Sequence, residues 1–164
     1  MNAEVETLNG KETLRFAWIF PVALAADRLT KAWASARLVD QPQTLIPSVL
    51  GLRYAQNTGA AFSLLSGAPW LICVLTAVLL IAVALYLFFG KKIPKTARIG
   101  LWLVLSGGAG NLYDRVAHGY VIDFIEPLFV NFAVFNAADV FVVCGAILAV
   151  IGFLCAGDAK QTAK

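Results

Sequence analysis

Two aspartates, Asp123 and Asp139, stand on either side of a short apolar connection, FIEPLFVNFAVFN, between two greasy segments of the chain. An ionisable group near hydrocarbon costs roughly 2.5 to 3.5 kcal/mol even on mild insertion scales, so acids placed there are functional candidates by default. Two carboxylates within a few ångströms cannot both ionise comfortably. Their proton affinities split, one proton is shared, and one group can take a proton from water while the other polarises a carbonyl. If the connection folds back over Pro127, Asp123 and Asp139 meet, and the chemistry to expect is hydrolysis by an aspartic dyad in a membrane. The plainer alternative is that each acid caps a helix or pairs with Arg115 or Lys31.

Other polar residues fall at a similar depth. Asn57, Asn111 and Asn136 are neutral donor–acceptors suited to holding a substrate backbone or orienting an acid, or to satisfying loop and helix-end backbone. Arg115 can fork onto a carboxylate or a lipid phosphate, with Asp114 beside it as a simple partner. Asp27 and Lys31 are spaced for an i, i+4 ion pair on one helix. Ser63, Ser66 and Ser106 raise a serine mechanism, but Ser106 has no evident base beside it. His118 is the sole histidine, which excludes a histidine-rich zinc site.

The elements that must position these groups follow from composition. The chain has 164 residues, 60% of them hydrophobic and 14% charged, with a mean hydropathy of +0.77. Soluble domains carry roughly 25% charge, so the chain reads as an all-α polytopic membrane protein. Four spans are expected, at about 14–34, 70–89, 99–114 and 136–156, in one integral membrane domain covering 1–164. Trp70 to Phe89 is the clearest, an uncharged run of the length that crosses hydrocarbon. Pro21 interrupts the first span, and Asp27, Arg28 and Lys31 sit in its last turns. Gly100, Gly107, Gly108 and Gly110 offer the third span small surfaces for close helix approach. The Pro- and Gly-rich segment 35–68 partly alternates over Val49 to Asn57, which predicts short strands lying on the membrane surface. A turn is expected near His118–Gly119. Cys73, Cys144 and Cys155 lie in apolar runs and are read as packing residues. Trp18, Trp33, Trp70 and Trp102 are read as interfacial anchors for the most part.

Lys11, Arg15, Lys91, Lys92, Lys95, Arg98, Lys160 and Lys164 fall on one side of such a bundle, eight of the 13 Lys and Arg residues. Positive residues favour the cytoplasm, so both termini are expected inside and the acids toward the outer face. An A-x-A pattern at Ala23–Leu24–Ala25 raises a cleaved leader. Glu4, Glu6 and Glu12 in its n-region argue against cleavage, and removing this segment would leave three spans and misplace the rest. Two other classes compete with a hydrolase. One is a small proton-coupled transporter relaying through Asp27, Asp123 and Asp139, for which acids should spread along the membrane depth. The other is a structural subunit whose polar residues only join helices.

Ordered blocks decide among these: DRLTK from Asp27, NTGAAFS from Asn57, GGAGNLYDRV from Gly107, GYVIDF from Gly119 and FNAAD from Phe135. Together they closely resemble the bacterial lipoprotein signal peptidase family, signal peptidase II. The resemblance implies four transmembrane helices with a small extracytoplasmic β-cradle, of which Gly59 and its neighbours are part. It implies that Asp123 and Asp139 are the catalytic dyad. It also implies that Asp27, Lys31, Asn57, Gly59, Asn111, Arg115 and Asn136 support the site or hold substrate. The substrate implied is a diacylglyceryl-modified prolipoprotein, cut before its lipidated cysteine at the outer face of the bacterial inner membrane. Inhibition by the cyclic peptide globomycin, no metal or organic cofactor, and action as a monomer are further implications. The segment 124–135 matches no block beyond Phe124 and Phe135, so its role as a flap is open.

Overall fold

The computed structural model describes residues 10–59 and 68–161, which form four long helices and one small sheet. After a helical turn at 10–14 and a non-helical stretch at 15–18 comes α1, Ile19–Arg37. Pro21 therefore sits in its first turn, where a missing N–H costs nothing, rather than interrupting the helix. The helix begins later than the expected 14–34 segment and runs three residues beyond it, closed by Leu38 N–H on Ala34 O at 2.9 Å. Two strands follow, β1 (Gln43–Ile46) and β2 (Leu50–Asn57). Next come α2 (Pro69–Phe89), α3 (Lys95–His118), β3 (Val121–Pro127) and α4 (Ala137–Gln161).

α3 exceeds its expected 99–114 span at both ends. Pro94, pre-set at the helix cap, lets Lys95 to Arg98 join the first turn, and Gly119 stops the helix in the left-handed region at φ 80°. β2 is the central strand of the antiparallel sheet, between β1 and β3. The sequence gives no strand pattern for β3, whose residues are mixed rather than alternating, yet it pairs Asp123 with Ala55 and Val121 with Asn57. Beyond Pro127 the chain does fold back: Ile125 and Phe135 exchange backbone hydrogen bonds at 2.8 and 3.0 Å. That return delivers Asn136 to the start of α4.

α3 is the central helix, packed on α4 above all, then on α1 and α2. Its glycines are used for contact. A Cβ on Gly100 would fall on Gly145 O, one on Gly145 on Gly100 O, and one on Gly107 on Ala138 O, so the two backbones touch as small-residue membrane helices do. Ile19, Leu87, Trp102 and Leu105 form one core cluster. Trp102 is thus a core residue and not an interfacial anchor, because its ring is buried and its Nε1–H donates to Thr13 O at 3.2 Å. A second cluster, Ala34, Leu38 and Phe124 with Leu52, Tyr54 and Ile125, seats the sheet on the end of α1. Cys144 and Cys155 are exposed on α4 rather than packed inside.

The outside is apolar. Val78, Leu79 and Ile81 on α2, and Val143, Ile147 and Val150 on α4, are each more than half exposed. Contiguous apolar surface of this kind marks a lipid-facing protein. Among the described residues two helical stretches, Trp70–Phe89 and Ala137–Ala156, are long and apolar enough to cross a membrane, with mean hydropathies of 3.0 and 2.5. α1 and α3 fall short of that composition because they carry Asp27, Arg28, Lys31, Arg98, Asp114 and Arg115.

Candidate active site

β3 brings Asp123 to the C-terminal end of α3, and the first turn of α4 brings Asp139 to the same place. Asn136 joins them. As the residue before α4 it accepts the Asp139 N–H on Oδ1 at 3.0 Å, while Asp139 Oδ2 accepts the Asn136 N–H at 3.0 Å. This is a capping box built from amide and acid. The Asn136 Nδ2 is then free to donate to Asp123 Oδ1 at 2.6 Å and to Asn111 Oδ1 at 3.1 Å. Asp139 Oδ1 accepts from Asn111 Nδ2 at 2.7 Å, and Asp123 Oδ2 from Asn57 Nδ2 at 3.0 Å. Each carboxylate therefore has a donor on both oxygens.

Behind these amides lies a buried ionic cluster. Lys31 has three ammonium hydrogens and three partners: Asp27 Oδ1 at 3.1 Å, Asp114 Oδ2 at 2.8 Å and Asn111 Oδ1 at 2.8 Å. Because the ammonium can only donate, it fixes Asn111 with its oxygen inward and its NH₂ toward Asp139. The expected i, i+4 pair Asp27–Lys31 forms, and it is part of a network reaching α3. Arg28 closes the cluster, with Nη2 on Asp27 Oδ2 at 2.9 Å and Nη1 on Asp114 Oδ1 at 2.7 Å.

Arg115 departs from expectation. Among the described residues it forks onto no carboxylate, and its neighbour Asp114 is taken by Arg28 and Lys31. Its Nη2 donates to Gly59 O at 2.9 Å and its Nη1 to Asn111 O at 3.3 Å. Gly59 lies two residues past β2 rather than in the sheet, and its N–H returns to Asn57 Oδ1 at 3.0 Å. Arg115 therefore clamps the 57–59 segment, and with it the amide that holds Asp123. Ser106 bonds Trp102 O within its own helix at 2.7 Å, as a buried helical serine does. Ser63 and Ser66, with the rest of 60–67, lie outside the described residues.

A cavity of about 450 Å³ opens on this constellation. Asn57, Asn111, Arg115, Asp123 and Asp139 make its polar wall, and Val121, Phe132, Val134, Phe135, Val140 and Val143 much of the rest. Burial, and then the charge of Asp139, push the Asp123 carboxyl up to about 6. All nine residues expected at the site fall into this one network. Among the described residues Asp27 meets the two acids through Lys31 and Asn111 at one end of the helices, rather than being spread along them as a transporter relay requires. Arg28 and Asp114 are the members that sequence reasoning assigned no such part. Their signal was charge within helices that should be apolar.

A helical membrane protein with two carboxylates sharing an amide on the wall of an apolar cavity has the make-up of an intramembrane acid-chemistry enzyme. Comparison with known proteins agrees. Residues 19–155 match the family described as Signal peptidase (SPase) II. The lipoprotein signal peptidase of Latilactobacillus sakei is 41% identical over 133 residues, 80% of this chain and 87% of that protein. The one from Lactococcus lactis subsp. lactis is 36% identical over 143 residues, 87% and 95% of the two chains. A solved bacterial membrane enzyme, determined by the in meso method at 2.3 Å resolution, superposes with a TM-score of 0.79 at 28% identity, covering 89% of this chain and 91% of its own. A second, at 1.9 Å, gives 0.75 at 28% identity over 85% and 92%. The chain belongs to the signal peptidase II family and is a peptidase.

Proposed function

We propose that the chain removes signal peptides from diacylglyceryl-modified prolipoproteins, cutting on the N-terminal side of the lipidated cysteine with a water activated by Asp123 and Asp139. The observation that carries this reading is the double attachment of the two acids through Asn136 and Asn111 on the wall of an apolar cavity. The relatives' printed name, lipoprotein signal peptidase, supports the substrate class.

The chemistry runs on one proton held between two carboxyls. The protonated acid donates to the scissile carbonyl oxygen while the ionised one takes a proton from water. The water oxygen bonds to the carbonyl carbon and gives a tetrahedral diol. Collapse breaks the C–N bond, the amine of the lipidated cysteine leaves with a proton from an acid, and the signal peptide ends in a carboxylate. Asn57, Asn111 and Asn136 hold both acids at fixed distance, so geometry is set before the substrate arrives. Asp123, with its carboxyl pushed up to about 6, is suited to hold the proton near neutrality better than an ordinary aspartate.

In this reading α1 to α4 all span the bacterial inner membrane as one integral domain, both termini are cytoplasmic, and the sheet lies at the outer face. Asp27, Arg28 and Lys31 of α1 and Asp114 of α3 are paired with one another, as intramembrane charges must be. A single chain suffices, no cofactor takes part, and globomycin blocks the cavity. The test is cleavage of a synthetic lipidated prolipoprotein, and of the same precursor without lipid, by purified wild type, Asp123→Asn and Asp139→Asn. Wild type alone should cut, and only the lipidated form. Cleavage by either variant at near wild-type rate rejects the dyad, and loss of the lipid requirement rejects the substrate class.

A further inference from the structure

The ionic cluster behind the site contains one member whose side chain is partly open. Arg28 is 28% exposed at its side chain, stacks its guanidinium 4.9 Å from the Tyr113 ring centre, and reaches Asp114, which is fully buried. Two routes lead from Asp114 to the acids. Its Oδ2 accepts the Ile122 N–H at 3.3 Å, fixing β3 one residue before Asp123. The same oxygen holds Lys31, which orients Asn111, which bonds Asp139.

Charge counting gives Arg28 its part. Asp27 and Asp114 carry two negative charges, Lys31 and Arg28 two positive ones. Lys31 brings one positive charge to two carboxylates, so Arg28 supplies the second. Of the other charged groups, Arg115 on α3 is a further positive charge acting on Asp114, Asp123 and Asp139 and is the same in every variant below, Glu126 on β3 pairs with Arg53 on β2 at 3.0 Å, and α2 carries no charged residue.

We infer that Arg28, acting through Asp114 and Lys31, is a positioning residue that keeps the cluster beneath the two aspartates neutral and thereby sets the pH range in which they retain their shared proton. The inference rests on the two-aspartate reading above. Without Arg28 the cluster is left with an excess negative charge, which favours the protonated acids. Without Asp114 it is left with an excess positive charge, which favours the ionised ones.

The opposite signs make the test. In Arg28→Gln the alkaline limb of kcat/KM against pH moves up by roughly half to one pH unit, the shift for one charge about 10 Å away at an effective dielectric constant of about 20, less screening. Arg28→Lys keeps the wild-type limb. Asp114→Asn moves it down, and the double variant Arg28→Gln/Asp114→Asn returns it near its starting place. A merely structural role lowers rates without moving the limb in opposite directions. The protonated-carboxyl infrared band, taken as wild type minus Asp123→Asn, follows the same shifts without turnover. A limb and an infrared titration that stay in place in Arg28→Gln, or that move the same way in both single variants, overturn the inference. Should Asp114→Asn not fold, Arg28→Gln against Arg28→Lys decides it. Cleavage by Asp123→Asn at wild-type rate would sink the two-aspartate reading instead, and the infrared titration would still decide the charge balance.

Discussion

Asn136 and Asp139 bond each other twice, backbone N–H to side-chain oxygen in both directions, at 3.0 Å each. The start of α4 and the placement of one acid are therefore the same structural event. The plain reading of Asp139 as a helix-capping residue is correct as far as it goes, and it coexists with the proposed chemical role because the second oxygen is left to Asn111.

That double role separates two substitutions. Asn136→Ser keeps an oxygen for the Asp139 N–H, and serine caps as well as asparagine, but it removes the NH₂ that reaches Asp123. Thermal stability should stay within about 0.5 kcal/mol of wild type, while cleavage falls at least tenfold. Asn136→Ala should lose the same activity and also about 1 kcal/mol of stability. Equal stability of the two variants by thermal unfolding in detergent would show that the cap contributes nothing.

Asp123 predicts a pH dependence of stability. Its carboxyl lies at about 6 in the folded protein against an ordinary 3.8. The folded state therefore binds the proton more tightly. The resulting stabilisation is complete below about 3.8, is lost as pH rises through about 6, and amounts to something on the order of 3 kcal/mol. Asp123→Asn cannot ionise, so its unfolding temperature should gain on wild type between pH 4 and 7. A constant difference across that range would mean that burial of Asp123 is relieved by water.

Gly110 faces the Asp27 carboxylate so closely that a Cβ there would overlap Asp27 Oδ2. Gly110→Ala should push Asp27 off Lys31 and Arg28 and cost about 1 to 3 kcal/mol, with activity falling as Asn111 loses its fixed orientation. The check is unfolding alongside turnover. An active, fully stable Gly110→Ala would mean that the cluster tolerates movement.

Arg115 holds the Gly59 carbonyl and, through the 57–59 turn, the Asn57 amide. Arg115→Lys keeps the charge but cannot reach Gly59 O and Asn111 O together from one planar group. Cleavage should fall roughly tenfold or more, the loss of one charge-assisted hydrogen bond, with the kcat term affected most. A wild-type kcat in Arg115→Lys would leave Arg115 as a charge only.

Much of this arrangement was legible in the residues. Apolar runs located the helices, Gly119 marked the turn that ends α3, and the alternation of Val49 to Asn57 marked β2. Pro127 signalled the fold-back that joins Asp123 to Asp139. What the sequence hid were partners chosen in three dimensions. Asp114 stands next to Arg115, yet on a helix adjacent side chains diverge by about 100°, and Arg28 from α1 reaches Asp114 instead. β3 was invisible because VIDFIEP does not alternate: its pattern answers to the site at Asp123 and the core at Phe124, not to one wet and one dry face. Trp102 reads as an anchor by type, but its depth along α3 places it opposite Thr13, and a tryptophan N–H with a buried acceptor belongs in a core.

Val140 and Val143 line the cavity and are also exposed on the outer surface of α4. In a bilayer such a mouth opens sideways into the lipid. The proposed substrate, carried by its own acyl chains, then arrives by diffusion in a plane, and its encounter rate follows its number per unit area of membrane. Spreading a fixed amount of enzyme and lipidated precursor over more inert lipid should slow cleavage although neither concentration in the test tube has changed.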